Sequence, residues 1–212
     1  MFYGRRKGRG LSPILSEKAR MRLQGLSVDR WMDRWPEQVW LEIGFGFGEH
    51  LVDWVASRPD HYIIGAEVFE NGIVSCVNRL PTQHDHRVAL FDQPVAALFE
   101  KIPKNGLQGI MIRFPDPWPK RRHAGRRLIQ DAFLDQCARV VCEGGELHFA
   151  SDHEKLVDFS YSIFDHHKRW HCTMKSITRP PGWAVSRYEE KALARGDVCH
   201  YAVWKNSVLT RV

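Results

Sequence analysis

Short apolar segments alternate with helix-forming segments along most of this chain, and the alternation limits its fold more than any other feature. Strands are predicted at residues 38–43, 62–68, 87–91, 109–114 and 145–151. Helices are predicted after them, at residues 49–57, 70–79, 94–101, 127–140 and 153–168. Strands that alternate with helices of about ten residues form βαβ units and a mostly parallel sheet. We therefore predict an α/β chain with a Rossmann-like, doubly wound sheet and weaker strands at 171–177 and 199–205.

The first 37 residues precede this alternation and carry a different pattern. Residues 1–10 are basic and rich in glycine, which predicts a flexible arm. A helix is predicted over residues 12–26, because Ser12 can cap it, Pro13 suits its first turn and Gly25 can end it. A chain of 212 residues fits one α/β domain with a small extension. We therefore predict an arm and helix over residues 1–37 and the α/β domain over residues 38–212.

Basic residues outnumber acidic ones by 31 to 25, but their distribution is more informative than their number. One cluster lies within residues 5–9 and a second within residues 120–127, shortly after a predicted strand. A single basic run is often a solvated surface, whereas two runs in a small chain indicate a polyanion partner, with nucleic acid ahead of membrane. No apolar run approaches the length of about 18 residues that a membrane span needs, and we expect the protein in the cytoplasm.

The cysteine and histidine patterns do not predict a metal site. The five cysteines are scattered and form no C-x-x-C pair, so we expect reduced thiols. The histidine pairs at 84–86 and 166–167 have no third ligand at a suitable spacing, and we interpret them as surface residues.

A glycine-rich turn, "LEIGFGFGEH", follows the first predicted strand and contains Gly44, Gly46 and Gly48. Glycines at such a turn let a ligand approach the backbone closely. A dinucleotide fingerprint needs a third glycine where this chain has Glu49, whose carboxylate would compete with pyrophosphate at the helix N-terminus. Glu42 adds a carboxylate beside the turn. The turn therefore favours a cationic cofactor, S-adenosylmethionine, over a dinucleotide.

Two more carboxylates stand at the ends of the next strands. Glu67 ends the second strand, which is the usual place for a carboxylate that binds ribose hydroxyls. Asp92 follows the third strand and could reach the adenine edge. Each one alone could equally be a helix cap or a solvated strand end. Together on one edge of the sheet, they predict a cofactor site.

The segment "RFPDPWPKRRHAGRR" follows the fourth predicted strand and joins one aspartate to many cations. Pro115 and Pro117 stiffen the backbone on both sides of Asp116. In isolation Asp116 would be a turn cap, but on the ligand edge of the sheet we interpret it as a site residue. Trp118 could stack on a base, although a packing anchor is the more common role. The cations Lys120, Arg121 and Arg122 are predicted to contact phosphates.

Six motifs give the chain a family resemblance. The segments "RRKGRG", "LEIGFGFGEH", "FPDPWPKRRH", "RRLIQ", "ASDHEKL" and "SRYEEKALARGD" occur in the same order as in bacterial tRNA (guanine-N7-)-methyltransferases of the TrmB type, which the chain resembles over roughly residues 4–205. The resemblance implies a class I S-adenosylmethionine-dependent methyltransferase fold over residues 38–212. It also implies methyl transfer to N7 of a guanine in the tRNA variable loop.

The resemblance also assigns residues. It implies that the cofactor is bound or faced by Glu42, Glu67, Asp92 and Asp116. Asp116 becomes the catalytic residue. The implied tRNA contacts are Lys120, Asp152, Ser186, Arg187, Tyr188 and Glu189. Two residues depart from the family pattern: Ser186 stands where threonine is common, and Arg113 stands where an uncharged residue is usual.

Other functions remain open at this level. One alternative is a tRNA-binding accessory protein that keeps the methyltransferase fold without catalysis. Another is a class I methyltransferase that acts on a protein or a small molecule, although the two basic clusters favour tRNA. We expect a monomer or a homodimer.

Overall fold

The structure is a computed structural model that describes Gly8 and residues 13–207, without the side chains of residues 13–16 and 121. The predicted basic cluster at residues 5–9, the Ser12 cap and the Arg121 side chain therefore lie outside the described residues. Gly8 donates its backbone N–H to Asn71 Oδ1 at 2.7 Å. None of the helices in the described ranges is long and apolar enough to cross a membrane.

Helices and strands alternate as the sequence predicts. The helices are α1 Pro13–Gly25, α2 Glu49–Ser57, α3 Glu70–Arg79, α4 Val95–Lys101, α5 Asp131–Val140, α6 Glu154–His166 and α7 Arg187–Ala194. The strands are β1 Val39–Ile43, β2 Tyr62–Ala66, β3 Val88–Phe91, β4 Leu107–Arg113, β5 Val141–Ser151, β6 Trp170–Ser176 and β7 His200–Asn206. The strands form a seven-stranded sheet in the order β3-β2-β1-β4-β5-β7-β6. Only β7 runs antiparallel to its described partners, β5 and β6, so the predicted α/β, mostly parallel fold is confirmed.

The chain forms two compact units, with the boundary between Ile102 and Pro103. This boundary does not test the predicted division between residues 37 and 38, which stays a prediction. In the first unit, β1, β2 and β3 pair in parallel, with Ile43 beside Ala66 and Ala66 beside Phe91. The carboxyl ends of these strands therefore meet at one edge, where ligands of α/β sheets bind.

In the second unit, β4 pairs in parallel with β5, and Arg113 lies beside Ala150. Strand β7 pairs antiparallel with β5 and places Tyr201 beside the same alanine. Phe164 of α6 stacks on Trp204 of β7 with ring centroids 3.8 Å apart, and both side chains are fully buried. The end of β4, which carries the proline-flanked segment, is thus built on a well-packed sheet.

The largest differences between prediction and structure are the starts of α5 and β5 and one helix that was not predicted. Helix α5 begins at Asp131 instead of residue 127, because residues Arg121–Arg126 form a separate 3₁₀ helix. Strand β5 begins at Val141 instead of residue 145, since Val141 already lies beside Leu107 ahead of a register shift. Helix α7 was not predicted; Ser186 and Glu189 form a capping box at its start, which is the S-x-x-E signal of a helix N-terminus.

Candidate active site

The glycine turn of the first unit links β1 to α2. Gly44, Gly46 and Gly48 have φ angles of 76°, 58° and 81°, in the left-handed region that glycine adopts without a Cβ clash. The N–H of Gly44 donates to Ala66 O at 2.8 Å, which ties the turn to the end of β2. The three predicted glycines thus form one tight turn at the carboxyl ends of β1 and β2.

Helix α3 packs against this turn so closely that side chains are excluded at the contact. A Cβ on Gly72 would lie 2.2 Å from Gly46 O, and a Cβ on Gly48 would lie 2.5 Å from Cys76 Cβ. The hydroxyl of Ser75 donates to Phe47 O at 3.1 Å. The path of the turn is therefore fixed by backbone packing as well as by its own glycines.

Glu67 follows β2, where the sequence places it, and its carboxylate is held by backbone donors. Its Oε2 accepts from the N–H of Gly46 at 2.9 Å, and its Oε1 accepts from the N–H groups of Val68 and Phe69 at 2.8 and 3.0 Å. The carboxylate is half-buried beside the glycine turn. Its predicted contact with ribose hydroxyls stays a prediction. The three backbone hydrogen bonds hold the carboxylate at the carboxyl end of β2.

Glu42 is the unusual carboxylate of the first unit, because it is buried with one oxygen unpartnered. Its Oε1 lies 2.9 Å from Nδ1 of His50, and the two residues are only 3% and 7% exposed. Its Oε2 is buried and has no hydrogen-bond partner among the described residues. A buried carboxylate oxygen without a donor costs free energy and calls for an explanation. A cationic group bound beside the glycine turn would supply one.

Asp92 differs from the other two carboxylates of this unit, because it is exposed. Its side chain makes no hydrogen bond or ion pair within the part of the chain that the structure describes. It follows β3 at the same edge as Glu67, since the N–H of Glu67 donates to Phe91 O at 3.0 Å. The predicted set of three carboxylates at one edge is therefore present in the structure.

Asp116 of the second unit lies in a strained loop after β4. The neighbouring residues Phe114 and Trp118 have φ angles of 49° and 40°, which are uncommon for residues with a Cβ. Such conformations cost about 1–3 kcal/mol each and concentrate at functional sites. The Asp116 side chain is exposed and makes no hydrogen bond with the described residues. The structure therefore gives no support to the alternative in which Asp116 caps the turn.

In the basic segment that follows, three cationic or titratable side chains lie against aromatic rings. The guanidinium of Arg126 lies 5.0 Å from the Trp118 ring, and His123 meets the same ring edge-on at 5.6 Å. These contacts support the interpretation of Trp118 as a packing anchor. The guanidinium of Arg127 lies 4.4 Å from the Phe159 ring. Burial, followed by the charges of the neighbouring cations, lowers the pKa of His123 and favours its neutral form.

Among the predicted phosphate contacts in this segment, Lys120 and Arg122 are exposed. Asp152, which follows β5, is half-buried and its Oδ2 accepts from Arg195 Nη2 at 2.8 Å. Its predicted tRNA contact stays a prediction.

No group of three or more His, Cys, Asp or Glu side chains able to hold a metal ion occurs in the described ranges.

The Ser186–Glu189 segment forms the start of α7 and presents its four residues differently. Ser186 Oγ accepts from the N–H of Glu189 at 3.1 Å, while Arg187 and Tyr188 are exposed. Glu189 is fully buried, so its predicted contact with tRNA stays a prediction that the structure gives no support. Its Oε1 accepts from the Tyr201 hydroxyl at 2.6 Å, and burial together with this carboxylate raises the pKa of Tyr201. Sequence analysis assigns no role to Tyr201 or to His50.

Sequence comparisons relate this chain to known methyltransferases. The sequence model of the family described as "Putative methyltransferase" matches residues 36–202. A tRNA (guanine-N(7)-)-methyltransferase of Rhodospirillum rubrum is 37% identical, with 96% of this chain and 87% of the relative covered. The enzyme of that name from Paramagnetospirillum magneticum is 40% identical over 73% of this chain and 67% of the relative. Another, from Bartonella quintana, is 34% identical over 94% of this chain and 93% of the relative.

Solved structures extend the comparison to the fold alone. The 16S rRNA methyltransferase KamB has a TM-score of 0.60 at 12% identity, with 85% of this chain and 93% of that chain covered. The antibiotic-resistance methyltransferase Kmr has a TM-score of 0.57 at 18% identity, with 84% and 91% covered. These matches confirm the predicted methyltransferase fold.

Proposed function

Because the chain belongs to the tRNA (guanine-N(7)-)-methyltransferase family, we propose that it transfers a methyl group from S-adenosylmethionine to N7 of a guanine in the tRNA variable loop. The observation that carries the proposal on the structural side is Asp116. It is an exposed carboxylate without a partner among the described residues, in a strained loop that continues into exposed cations. Such a loop suits the recognition of one base within a polyanion.

The first unit offers groups that fit S-adenosylmethionine, which supplies an activated methyl group on a sulfonium. The unpartnered Oε2 of Glu42 is buried beside the glycine turn and can accept from the cofactor's ammonium group. Glu67 would accept from the ribose hydroxyls, and the exposed Asp92 would accept from the adenine amine. The carboxylates of Glu42, Glu49 and Glu67 disfavour a pyrophosphate at this edge, which supports a cofactor without phosphates.

Methyl transfer to N7 requires alignment of the reacting atoms more than it requires proton transfer. N7 of guanine has a lone pair in the ring plane, so a bond from N7 to the methyl carbon can form while the carbon–sulfur bond breaks, without prior loss of a proton. Holding the reacting atoms in line is then the main contribution of the protein. Positive charge moves onto the purine during transfer. The Asp116 carboxylate would stabilise that charge and accept from guanine N1–H and the exocyclic amine.

The remaining exposed groups of the second unit would position the RNA. Lys120 and Arg122 would neutralise phosphates, together with Arg121. The cations at residues 5–9, which precede the first unit's described helices in the chain, would add further phosphate contacts. Arg187 and Tyr188 at the start of α7 would contact the substrate beside them. Phosphate contacts fix the position of the RNA, whereas the contacts of Asp116 would select the base. A tRNA substrate also implies a cytoplasmic enzyme.

The test of the proposed roles is the Asp116→Ala variant. It should lose turnover on tRNA while its affinity for S-adenosylmethionine, measured by calorimetry, stays within a few-fold of the wild type. The matched control is Asp158→Ala, which removes an exposed aspartate from α6 and should leave turnover unchanged. Near wild-type turnover of Asp116→Ala would mean that Asp116 has no catalytic role. A wild-type protein that binds cofactor and tRNA without turnover would be an accessory protein instead.

A further inference from the structure

Arg113 is a buried cation at the base of the loop that carries Asp116. It is the last residue of β4 and only 7% exposed, although arginine is almost never buried without a partner. Its Nη2 donates to Ala184 O at 2.6 Å and lies 3.4 Å from Glu189 Oε2. Its guanidinium also lies 5.8 Å from the Trp183 ring. All these partners come from the segment that leads into α7 or from its first turn.

Glu189 anchors the start of α7 through hydrogen bonds and ion pairs to its carboxylate. The carboxylate is fully buried, and each of its oxygens has protein partners. Oε1 accepts from the Tyr201 hydroxyl at 2.6 Å and from Arg179 Nη1 at 3.3 Å. Oε2 faces Arg113 and accepts from the N–H of Ser186 at 3.4 Å in the capping box. Because breaking a buried ion pair by removing one partner is strongly destabilising, the Arg113–Glu189 pair holds both segments in place.

The loop that carries Asp116 begins directly after Arg113, and its first residue, Phe114, packs in the same region of the second unit. Phe114 has a left-handed φ of 49°, a conformation that persists only where its surroundings enforce it. The N–H of Phe114 donates to Ala150 O at 2.7 Å. Its ring packs against the cluster of Ala150, Ala192, Cys199 and Tyr201, and Tyr201 is a direct partner of Glu189. The strained start of the Asp116 loop and the start of α7 are therefore joined within one packed network.

We propose that Arg113 is a positioning residue, which through Glu189 fixes the exposed Arg187 and Tyr188 relative to Asp116. The inference rests on the proposed function, since it explains how two separate substrate-contacting segments of one unit keep a single arrangement. Arg113 needs no contact with the substrate for this role. Arg187 and Tyr188 contact the substrate, and the buried Arg113–Glu189 pair determines their position relative to Asp116.

The experiment compares Arg113→Leu with Arg87→Leu. Arg87 is a matched control, because it is 8% exposed and its Nη1 donates to Arg58 O at 2.8 Å and to His61 O at 3.0 Å, all within the first unit. Both variants should lower the melting temperature. At a temperature where both are folded, Arg113→Leu should lower kcat on tRNA by about ten- to hundredfold, as expected for displaced catalytic geometry. Its affinity for S-adenosylmethionine should stay within a few-fold, and Arg87→Leu should keep its kcat.

A double-mutant cycle with Glu189→Gln tests whether Arg113 acts through Glu189. The two changes should be strongly non-additive, so that the double variant loses less activity than the product of the single losses. Should Arg113→Leu not fold, Arg113→Lys takes its place; it keeps the charge without the planar fork, and a smaller loss of kcat is expected. A kcat equal to that of Arg87→Leu, or multiplicative losses in the cycle, would overturn the inference. An inactive wild type would overturn the proposed function instead.

Discussion

Substitution of Gly72 by alanine tests whether the packing of α3 against the glycine turn sets the cofactor site. The added Cβ would lie 2.2 Å from the carbonyl oxygen of Gly46 and 2.9 Å from its carbonyl carbon. Ordinary contacts of this kind begin at 3.4 Å, so helix and turn must separate by about 1 Å. The obstructing atoms are backbone, which cannot rotate away. The turn itself must therefore move.

Two effects of opposite sign act on stability. Alanine is favoured over glycine within a helix by about 1 kcal/mol. Overpacking of a close contact costs about 1–3 kcal/mol. We therefore expect Gly72→Ala to lower the free energy of unfolding by at most about 2 kcal/mol, and the protein should still fold.

The larger effect should fall on the cofactor. A displacement of about 1 Å would break the 2.9 Å hydrogen bond from Gly46 N–H to Glu67, so the turn and this carboxylate would no longer keep their arrangement. We expect S-adenosylmethionine to bind at least about tenfold more weakly, which corresponds to about 1.4 kcal/mol. Calorimetric titration measures the affinity, and thermal denaturation measures the stability.

Gly25→Ala is the matched control for this experiment. Gly25 is the last residue of α1, and an added Cβ meets no atom within 4 Å. This variant should keep the wild-type cofactor affinity and a wild-type or slightly raised melting temperature. The explanation would be refuted if Gly72→Ala behaved like the control, with unchanged affinity and a raised melting temperature.

Two further predictions concern charge. His50→Ala removes the only described hydrogen-bond partner of the buried Glu42 carboxylate, so S-adenosylmethionine affinity should fall by about tenfold, whereas His61→Ala should leave it unchanged. Replacement of both exposed cations Lys120 and Arg122 by alanine should make the plot of log K for tRNA against log salt shallower by about 1.4–1.8, since each phosphate contact contributes about 0.7–0.9. An unchanged slope in binding assays at several salt concentrations would mean that these cations form a solvated surface.

Local patterns in the sequence were sufficient for most of the fold. Helices α2 and α3 have the predicted bounds, because each begins directly after a strand and a turn that the glycines and the carboxylates mark. Helix α7 was missed although its capping box is visible as S-x-x-E, since its eight residues contain a single large aliphatic side chain, Leu193, and provide little apolar periodicity. Strand β5 and helix α5 shifted where tertiary pairing and a 3₁₀ helix replaced the local preference.

In the candidate site, too, some features could be predicted from the sequence and others could not. Residues at strand ends, such as Glu67 and Asp116, could be located because the edge of a parallel sheet is predictable from its topology. The burial of Glu189 could not, because its partner Arg113 lies 76 residues away in the sequence. The same holds for Glu42: its position was predicted, but the unpartnered oxygen depends on the packing around His50.

The most direct measurement of the central claim is incubation of the wild-type protein with bulk tRNA and S-adenosylmethionine labelled in the methyl group, in the presence of excess chelator. The product is digested to nucleosides and the labelled tRNA is mapped. The account predicts one labelled nucleoside, N7-methylguanosine, located in the variable loop and formed without added metal. Label in another nucleoside, label that appears only after metal is restored, or no transfer to tRNA would contradict it.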